Sequence, residues 1–353
     1  MNVSKDFDSL VIAGDIGGTN TNLALVGRKT DNFELLLKRT FQTQTLPDLI
    51  EPVEIILKDI NEKLPDMKPQ TCCISAAGPI IENRCYLTNA ELVLDGKEIE
   101  RVTKLPTLII NDFTALSYAL PLLDREDPAM ITKIPHTDGT FPEPDGPVKI
   151  VTGAGTGFGM GLLIESEDRA TAYPSEAGHL DFSAFDRETE ELKDFVAKKM
   201  GFNPYVELFL SGRGIVNIYN FFTSTGKISR DFIPLEVLSA PDNEKPALIA
   251  KNASQDQGCA RIIKTFVKIY GRYTGNLAIL TLPYGGLYLA GGIAIKNEKF
   301  FIEDNLFMKY FEIGSKPEIH KLLKKVPVYL IRNYSASIYG AANAASFLLK
   351  NIE

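Results

Sequence analysis

The 353 residues are enough for two domains with separate hydrophobic cores. The net charge of −7 argues against a nucleic-acid-binding protein, and the four cysteines form neither a CxxC pair nor a Cys/His metal spacing. Unpaired thiols suit a reducing compartment, and the charged residues before the first apolar run do not resemble a signal peptide, so we expect a cytoplasmic protein.

A glycine-rich turn joins the first two apolar runs. The sequence Gly14-Asp15-Ile16-Gly17-Gly18-Thr19-Asn20-Thr21 lies between residues 10–13 and 23–26, which predicts a β-hairpin. Glycines allow close approach to the backbone, and successive N–H groups can bind a phosphate. The Asp15 carboxylate would repel a phosphate unless a divalent cation lay between them. A phosphate-and-metal hairpin and a plain tight turn therefore both remain open.

The next segment alternates strands and helices, which indicates an α/β fold with ligands at strand ends. We predict strands at 33–40, 71–76, 82–87 and 108–110, and helices at 46–64 and 113–122. Asn111 and Asp112 follow the last of these strands. Asp112 could cap the helix, or the pair could place polar groups at a binding site, and both roles are compatible.

The pattern of strand, glycine turn and strand recurs at residues 149–164. Glycines at 153, 155, 157, 159 and 161 alternate at the strand period, which leaves a bare face against which a ligand could lie. The spacing is not GxGxxG, so a dinucleotide fold is not indicated. The turns around Thr19 and Thr156 suggest an internal repeat, which in a two-lobed protein would place the hairpins on opposite sides of a central cleft.

The second half of the chain contains further helices and strands. We predict helices at 189–200, 213–223, 255–278 and 337–350, and strands at 286–290 and 326–331. Asn203-Pro204 is a helix-start signal that would put Glu207 in a first turn, and Ser211 is expected to cap the next helix. The uncharged stretch 277–295 is interrupted by Pro283 and glycine pairs, so no membrane span is predicted.

Two further groups could bind ligands. Glu176, His179 and Glu207 could hold the hydroxyls of a polyol, although composition alone favours a solvated loop acid, a structural histidine and an exposed helical glutamate. Gly285-Gly286 and Gly291-Gly292 bracket a strand, either as a core hairpin or as a nucleoside pocket.

Taken together, five motifs resemble those of the bacterial-type glucokinases of the hexokinase superfamily, in the family's order and over nearly the whole chain. They are GDIGGTN (14–20), INDFTALSYALPLL (110–123), GAGTGFG (153–159), SEAGHLDF (175–182) and YGGLYLAGGI (284–293). Ser175 and Ala177 replace glycines of the family pattern, and Arg213 stands where proline is frequent. These departures concern sugar preference and helix geometry. The Cys/His zinc motif of the separate repressor-and-sugar-kinase family is absent from the sequence.

The resemblance implies an α/β, two-lobed actin-like ATPase (ribonuclease H-like) fold with a central cleft, in which residues 1–112 plus 337–353 form a small domain and 113–336 a large one. It implies phosphoryl transfer from MgATP to the 6-hydroxyl of glucose, with Asp112 as general base. The implied glucose-binding residues are Asn111, Asp112, Gly153, Glu176, His179 and Glu207. The implied ATP-binding residues are Gly14, Asp15, Ile16, Gly17, Gly18, Thr19, Asn20, Gly155, Thr156, Gly157, Gly291 and Gly292.

The resemblance also implies that Asp15 holds Mg²⁺ through water, and we expect a homodimer that binds neither nucleic acid nor membrane. Two alternatives stay open: a kinase for another hexose, such as mannose or an amino sugar, and a non-catalytic sugar-binding regulator on the same fold. ADP and polyphosphate are alternative donors, although the full adenosine-type motif favours ATP.

Overall fold

The computed structural model shows a mixed α/β protein and describes residues 6–30, 32–87, 90–166, 169–332 and 336–349. The strands are β1 (Ser9–Ile16), β2 (Asn20–Lys29), β3 (Asn32–Gln42), β4 (Thr71–Ala76), β5 (Ile80–Ile81), β6 (Arg84–Tyr86), β7 (Val93–Asp95), β8 (Thr107–Asn111), β9 (Ile131–Lys133), β10 (Val148–Ala154), β11 (Phe158–Ser166), β12 (Arg169–Ser175), β13 (Gly286–Ala290) and β14 (Val328–Ile331). The helices are α1 (Ile50–Lys63), α2 (Gly96–Thr103), α3 (Asp112–Ala119), α4 (Arg187–Met200), α5 (Gly212–Ser224), α6 (Leu235–Ser239), α7 (Lys245–Asn252), α8 (Gln257–Thr281), α9 (Gly292–Lys296), α10 (Glu298–Ile302), α11 (Leu306–Phe311), α12 (Pro317–Leu323) and α13 (Ala336–Leu349).

Residue contacts divide the chain into two compact units. Unit 1 contains the described residues within 1–124, 161–174 and 333–353, and unit 2 contains those within 125–160 and 175–332. The domain limits implied by the resemblance stay a prediction.

The five-stranded sheet has the order β3-β2-β1-β4-β8. The predicted β1–β2 hairpin is confirmed as an antiparallel pair, and β1, β4 and β8 run parallel. Every residue of β4 is buried, as expected for a parallel strand covered on both faces. Helix α1 buries Val53, Ile56 and Ile60 but begins at Ile50, four residues later than predicted. The Asp48 carboxylate accepts a 2.8 Å hydrogen bond from the Ile50 N–H and thereby marks this start.

The six-stranded sheet, β12-β11-β10-β13-β14-β9, repeats the order of the smaller sheet. In the five-stranded sheet, the order β3-β2-β1 is followed by β4 and β8, which run parallel to β1. In the six-stranded sheet, the order β12-β11-β10 is followed by β13 and β14, which run parallel to β10. The predicted internal repeat is therefore confirmed at the level of strand order.

The C-terminal helix packs closely on α3 within unit 1. A Cβ atom at Gly340 would overlap the carbonyl oxygen of Ala115, and the Asn343 side chain donates a 2.8 Å hydrogen bond to the Tyr118 carbonyl. The predicted close packing of this small-residue helix is confirmed, and residue 350 of the predicted range lies outside the described residues. Glycine at 340 lets α13 hold the helix that begins at Asp112.

The helix start predicted at Asn203-Pro204 is wrong. The Pro204 carbonyl accepts a 2.9 Å hydrogen bond from the Phe182 N–H, so this segment pairs with another chain segment. A 3₁₀ turn begins at Val206 instead, and it does contain Glu207. None of the helices in the described ranges combines the length and apolar character needed to cross a bilayer.

Candidate active site

The first glycine turn closes on itself and leaves two backbone donors. The Gly17 N–H donates to the Asn20 carbonyl at 2.9 Å, while the N–H groups of Gly18 and Thr19 have no hydrogen-bond partner among the described residues. Thr43 supports the tip, because its hydroxyl donates to the Gly17 carbonyl at 2.7 Å and its N–H donates to the Thr19 carbonyl. The tip is therefore a rigid pair of donors of the kind that binds anions.

Two residues of the first glycine motif, Gly14 and Ile16, pack in the hydrophobic core. A Cβ atom at Gly14 would lie 2.5 Å from the Ile74 side chain, and Ile16 is buried. The sequence pattern grouped them with the turn, whereas the structure packs them beneath it.

Asp15 presents a carboxylate near the same turn. Ser75, its register partner on β4, donates a 3.1 Å hydrogen bond to Oδ1. Burial raises the pKa of Asp15 above its usual value, and this effect is opposed by the Ser75 hydrogen bond and the charge of Lys38. The described residues contain no cluster of three or more metal-ligating side chains. A single carboxylate fits Mg²⁺, which keeps several waters and takes substrate phosphate oxygens as ligands.

The N-cap of α3 is Asn111, so the alternative that Asp112 is the capping residue is wrong. The Asn111 Oδ1 accepts hydrogen bonds from Phe113 N at 2.9 Å and Thr114 N at 3.4 Å, while its Nδ2 donates to the Gly78 carbonyl. Asp112 is the first helical residue, and its Oδ1 accepts from Phe113 N at 3.0 Å. The start of a helix favours a negative charge, so this position suits an ionised carboxylate.

The second glycine turn, in unit 2, also leaves two backbone donors. The Gly155 N–H donates to the Gly157 carbonyl at 2.8 Å, and the N–H groups of Thr156 and Gly157 have no partner in the described part of the chain. A Cβ atom at Gly155 would meet nothing within 4 Å. Gly153, by contrast, is buried in β10 and paired with Ala290.

The expectation of a bare face for a ligand along the alternating glycines is wrong at two positions. A Cβ atom at Gly157 would lie 2.5 Å from the Glu207 carboxylate, and one at Gly161 would lie 2.5 Å from the Phe113 carbonyl. Protein groups fill these gaps, and the open space is at Gly155.

A cavity of about 870 Å³ in unit 2 brings the second turn and the adenosine-type motif together. Gly155, Thr156 and Gly292 line it. Because β13 runs parallel to both neighbours, the core-hairpin alternative for the glycine pairs is wrong. Gly291 has φ +94°, and a Cβ atom there would lie 2.5 Å from the Ala154 carbonyl. Only glycine fits this approach, which sets the motif beside the end of β10.

Sequence reasoning missed three basic residues that line this cavity: Lys199, Arg213 and Lys296. Lys199 donates to the Asn217 side chain. Arg213 and Lys296 are exposed and form no ion pair with a described residue. Their positive charges suit phosphate groups, and the only sequence signal was the departure at 213.

The loop with Glu176 and His179 lies beside the turn that carries Glu207. The Val206 N–H donates to the Leu180 carbonyl at 2.9 Å, and the rings of His179 and Tyr205 are 5.1 Å apart. The Glu176 and His179 side chains are exposed, whereas Glu207 is half-buried. Unit 2 therefore brings together the segments of these three predicted residues.

Glu207 also contacts the second glycine turn, which the sequence did not indicate. Its Oε2 accepts a 2.9 Å hydrogen bond from the Phe158 N–H. Phe158 follows Gly157 directly, so this carboxylate holds the end of the turn.

Comparisons with known proteins identify the family of this chain. The glucokinase family model matches residues 12–347. A curated glucokinase from Nostoc punctiforme is 32% identical over 356 residues, covering 96% of this chain and 100% of the relative. A glucokinase structure from an Antarctic psychrotroph is similar at TM-score 0.78 and 24% identity, covering 95% of this chain and 98% of that one.

A ROK-family glucokinase from Streptomyces griseus, solved in complex with glucose and AMPPNP, is similar at TM-score 0.60 and 19% identity, with 95% of this chain and 99% of that chain covered. These likenesses confirm the two-lobed actin-like ATPase fold. The chain therefore belongs to the glucokinase family, and its activity is the ATP-dependent phosphorylation of glucose.

Proposed function

We propose that Asp112 is the general base that removes the proton of the glucose 6-hydroxyl. The observation that carries this role is its place as the first residue of α3, directly after a capping asparagine that fixes the backbone. A bond forms between O6 and the γ-phosphorus while the bond from that phosphorus to the β–γ bridging oxygen breaks. ADP leaves, and the proton passes to the carboxylate. Such a transfer depends mainly on positioning and charge neutralisation.

Glucose binding is the proposed role of four side chains and one backbone position. Asn111, Glu176, His179 and Glu207 accept or donate hydrogen bonds to its hydroxyls, and the backbone at Gly153 adds a contact. The Oδ1 of Asn111 accepts the hydrogen bond that caps the helix, and one amide N–H donates to the Gly78 carbonyl. Only the second amide N–H therefore remains for the sugar. Glucose in the S. griseus structure supports a sugar site in this fold.

ATP binds through the donors of both glycine turns and the cavity of unit 2. The remaining N–H groups of Gly18, Thr19, Thr156 and Gly157 bind phosphate oxygens, and Arg213 and Lys296 add positive charge. The adenosine lies against Gly291 and Gly292. AMPPNP in the S. griseus structure is an ATP analogue and supports this donor.

Asp15 holds Mg²⁺ through water. The ion would neutralise charge on the phosphates during transfer. Asp15 fits this role because its carboxylate accepts a hydrogen bond from one neutral donor, Ser75, and forms no ion pair with a described residue.

The experiment is a coupled assay for glucose 6-phosphate with ATP, ADP and polyphosphate as donors and a panel of hexoses as acceptors. We expect the highest kcat/KM for glucose with MgATP, and little turnover without Mg²⁺. Faster turnover of mannose or an amino sugar would favour the other-hexose alternative, whereas glucose binding without product would identify a sugar-binding regulator.

We further propose a cytoplasmic homodimer that binds neither nucleic acid nor membrane. The acidic net charge supports the expectation that nucleic acid is not bound, and the four cysteines, all buried and none in a disulfide, suit a reducing compartment. Light scattering of the purified protein tests the dimer directly.

A further inference from the structure

The two ends of the segment from Glu207 to Gly212 contact the two ends of the second glycine turn. Glu207 Oε2 accepts from the Phe158 N–H at 2.9 Å, and the Gly212 N–H donates to the Gly155 carbonyl at 2.8 Å. Ser211 closes the segment by donating from its hydroxyl to the Glu207 carbonyl at 2.7 Å. The turn that presents phosphate donors is therefore held by a segment that begins with a proposed sugar ligand.

Glycines make this contact possible. The carboxylate of Glu207 occupies the space that a Cβ atom at Gly157 would take, 2.5 Å from Oε2. On the loop that carries Glu176 and His179, a Cβ atom at Gly178 would overlap the carbonyl oxygen of Phe158. The two polar backbone groups of Phe158 thus face two segments that carry proposed sugar-binding residues.

The two carboxylate oxygens of Glu207 differ. Oε2 is engaged with Phe158, whereas Oε1 accepts no hydrogen bond from a residue in the described ranges. A carboxylate has several acceptor sites, so Oε1 can take a sugar hydroxyl while Oε2 keeps its bond.

We propose that Glu207 is a positioning residue that couples the two substrates: one oxygen fixes the phosphate turn while the other binds glucose. A hydroxyl bound at Oε1 holds the side chain in the conformation that Oε2 needs, so glucose orders the turn and strengthens nucleotide binding. Linkage requires that nucleotide strengthens glucose binding by the same factor. The inference rests on the sugar contact in the proposed function.

The test is isothermal titration calorimetry with MgAMPPNP, with and without saturating glucose. In the absence of sugar, Glu207→Ala should weaken MgAMPPNP binding about tenfold, the size of one lost hydrogen bond to a charged group. Glu207→Gln, whose amide oxygen can still accept from Phe158, should lose less. Glu176→Ala is the matched control, because it removes a proposed sugar ligand without such a contact, and its sugar-free nucleotide affinity should equal that of the wild type.

Saturating glucose should strengthen MgAMPPNP binding in the wild type and in Glu176→Ala, and have little effect in Glu207→Ala. Unchanged sugar-free nucleotide affinity in Glu207→Ala, together with weaker glucose binding, would overturn the coupling and leave the proposed sugar contact standing. Unchanged glucose affinity would instead refute the sugar contact, and the coupling with it.

Gly157→Ala covers the case in which Glu207→Ala does not fold. The added methyl displaces the carboxylate, so sugar-free nucleotide affinity should fall although Glu207 is present. If both single variants fold, the double variant should bind MgAMPPNP no more weakly than Gly157→Ala, because the carboxylate that the methyl displaces is gone. Additive losses would contradict a shared mechanism.

Discussion

The Oδ1 atom of Asn111 accepts a 2.9 Å hydrogen bond from the N–H of Phe113, and this bond fixes the first turn of α3. Asp112 lies between the two residues, so its backbone cannot move without breaking the cap. A residue that must deliver a carboxylate to one hydroxyl gains from such a fixed position, since small misplacements are costly in rate.

Asp112→Asn should lower kcat by about a hundredfold or more, the usual contribution of a positioned base, while the free energy of unfolding changes little. Glu98→Gln is the control, because Glu98 also lies in the first turn of a helix, α2, and is exposed. Steady-state kinetics and urea unfolding measure both variants. Wild-type turnover in Asp112→Asn would remove Asp112 from the chemistry.

The hairpins were predictable because their signals are local. Glycines next to threonine specify a tight reversal wherever it lies in the fold, and both turns occur as predicted. The choice of cap was not predictable, since Asn and Asp are about equally good N-caps and the sequence offered both at adjacent positions. Only the backbone geometry decides between Asn111 and Asp112.

Contacts between residues far apart in the sequence could not be predicted from local sequence patterns. Glu207 meets Phe158 across 49 positions, and the bare glycine face looked open because nothing local shows which groups fill it. Pairing with Phe182 likewise overrode the capping signal at Asn203-Pro204. Local sequence patterns therefore do not show which groups these residues contact.

Gly340→Ala distinguishes helix propensity from packing by the sign of its effect. Alanine in a helix interior is normally about 1 kcal/mol better than glycine. Here the new methyl would overlap the Ala115 carbonyl, so we expect a loss of roughly 1–3 kcal/mol in urea unfolding. Because Ala115 belongs to the helix that begins at Asp112, kcat should fall as well.

Ser337→Ala is the control for this variant, since it lies on the same helix and adds no carbon atom. Its unfolding midpoint should match or exceed that of the wild type. A more stable Gly340→Ala protein would mean that α13 can move away from α3 without cost.

Ser75→Ala should shift the acid limb of the pH–rate profile to higher pH. Burial already raises the pKa of Asp15, and the Ser75 hydrogen bond opposes that rise. Without the hydroxyl the pKa of Asp15 rises further, so the ionised form that is proposed to hold Mg²⁺ is lost at a higher pH as the solution is acidified. Profiles of kcat/KM for MgATP between about pH 5 and 9 measure the shift.

At the alkaline end of that range, Ser75→Ala should approach wild-type activity, because Asp15 is then ionised in both proteins. Asp15→Asn serves as the reference, since it lacks the titrating group and should be slow at every pH. An unshifted acid limb in Ser75→Ala would show that Asp15 does not control it.

Arg213→Ala should raise the KM for MgATP about fivefold and change the KM for glucose little. Arg213 lines the cavity that contains Gly155 and Gly292, and it has no ion-pair partner among the described residues. A partly exposed charge contact contributes about 1 kcal/mol, which corresponds to this factor, and added salt should reduce the difference.

Lys198→Ala, an exposed cation on α4 outside the cavity lining, should leave both constants unchanged, and Arg213→Lys should recover part of the affinity. Equal effects of the alanine variants at 198 and 213 would mean that only net charge matters, whereas a KM for MgATP that stays at the wild-type value in Arg213→Ala would place the donor's phosphates away from this side chain.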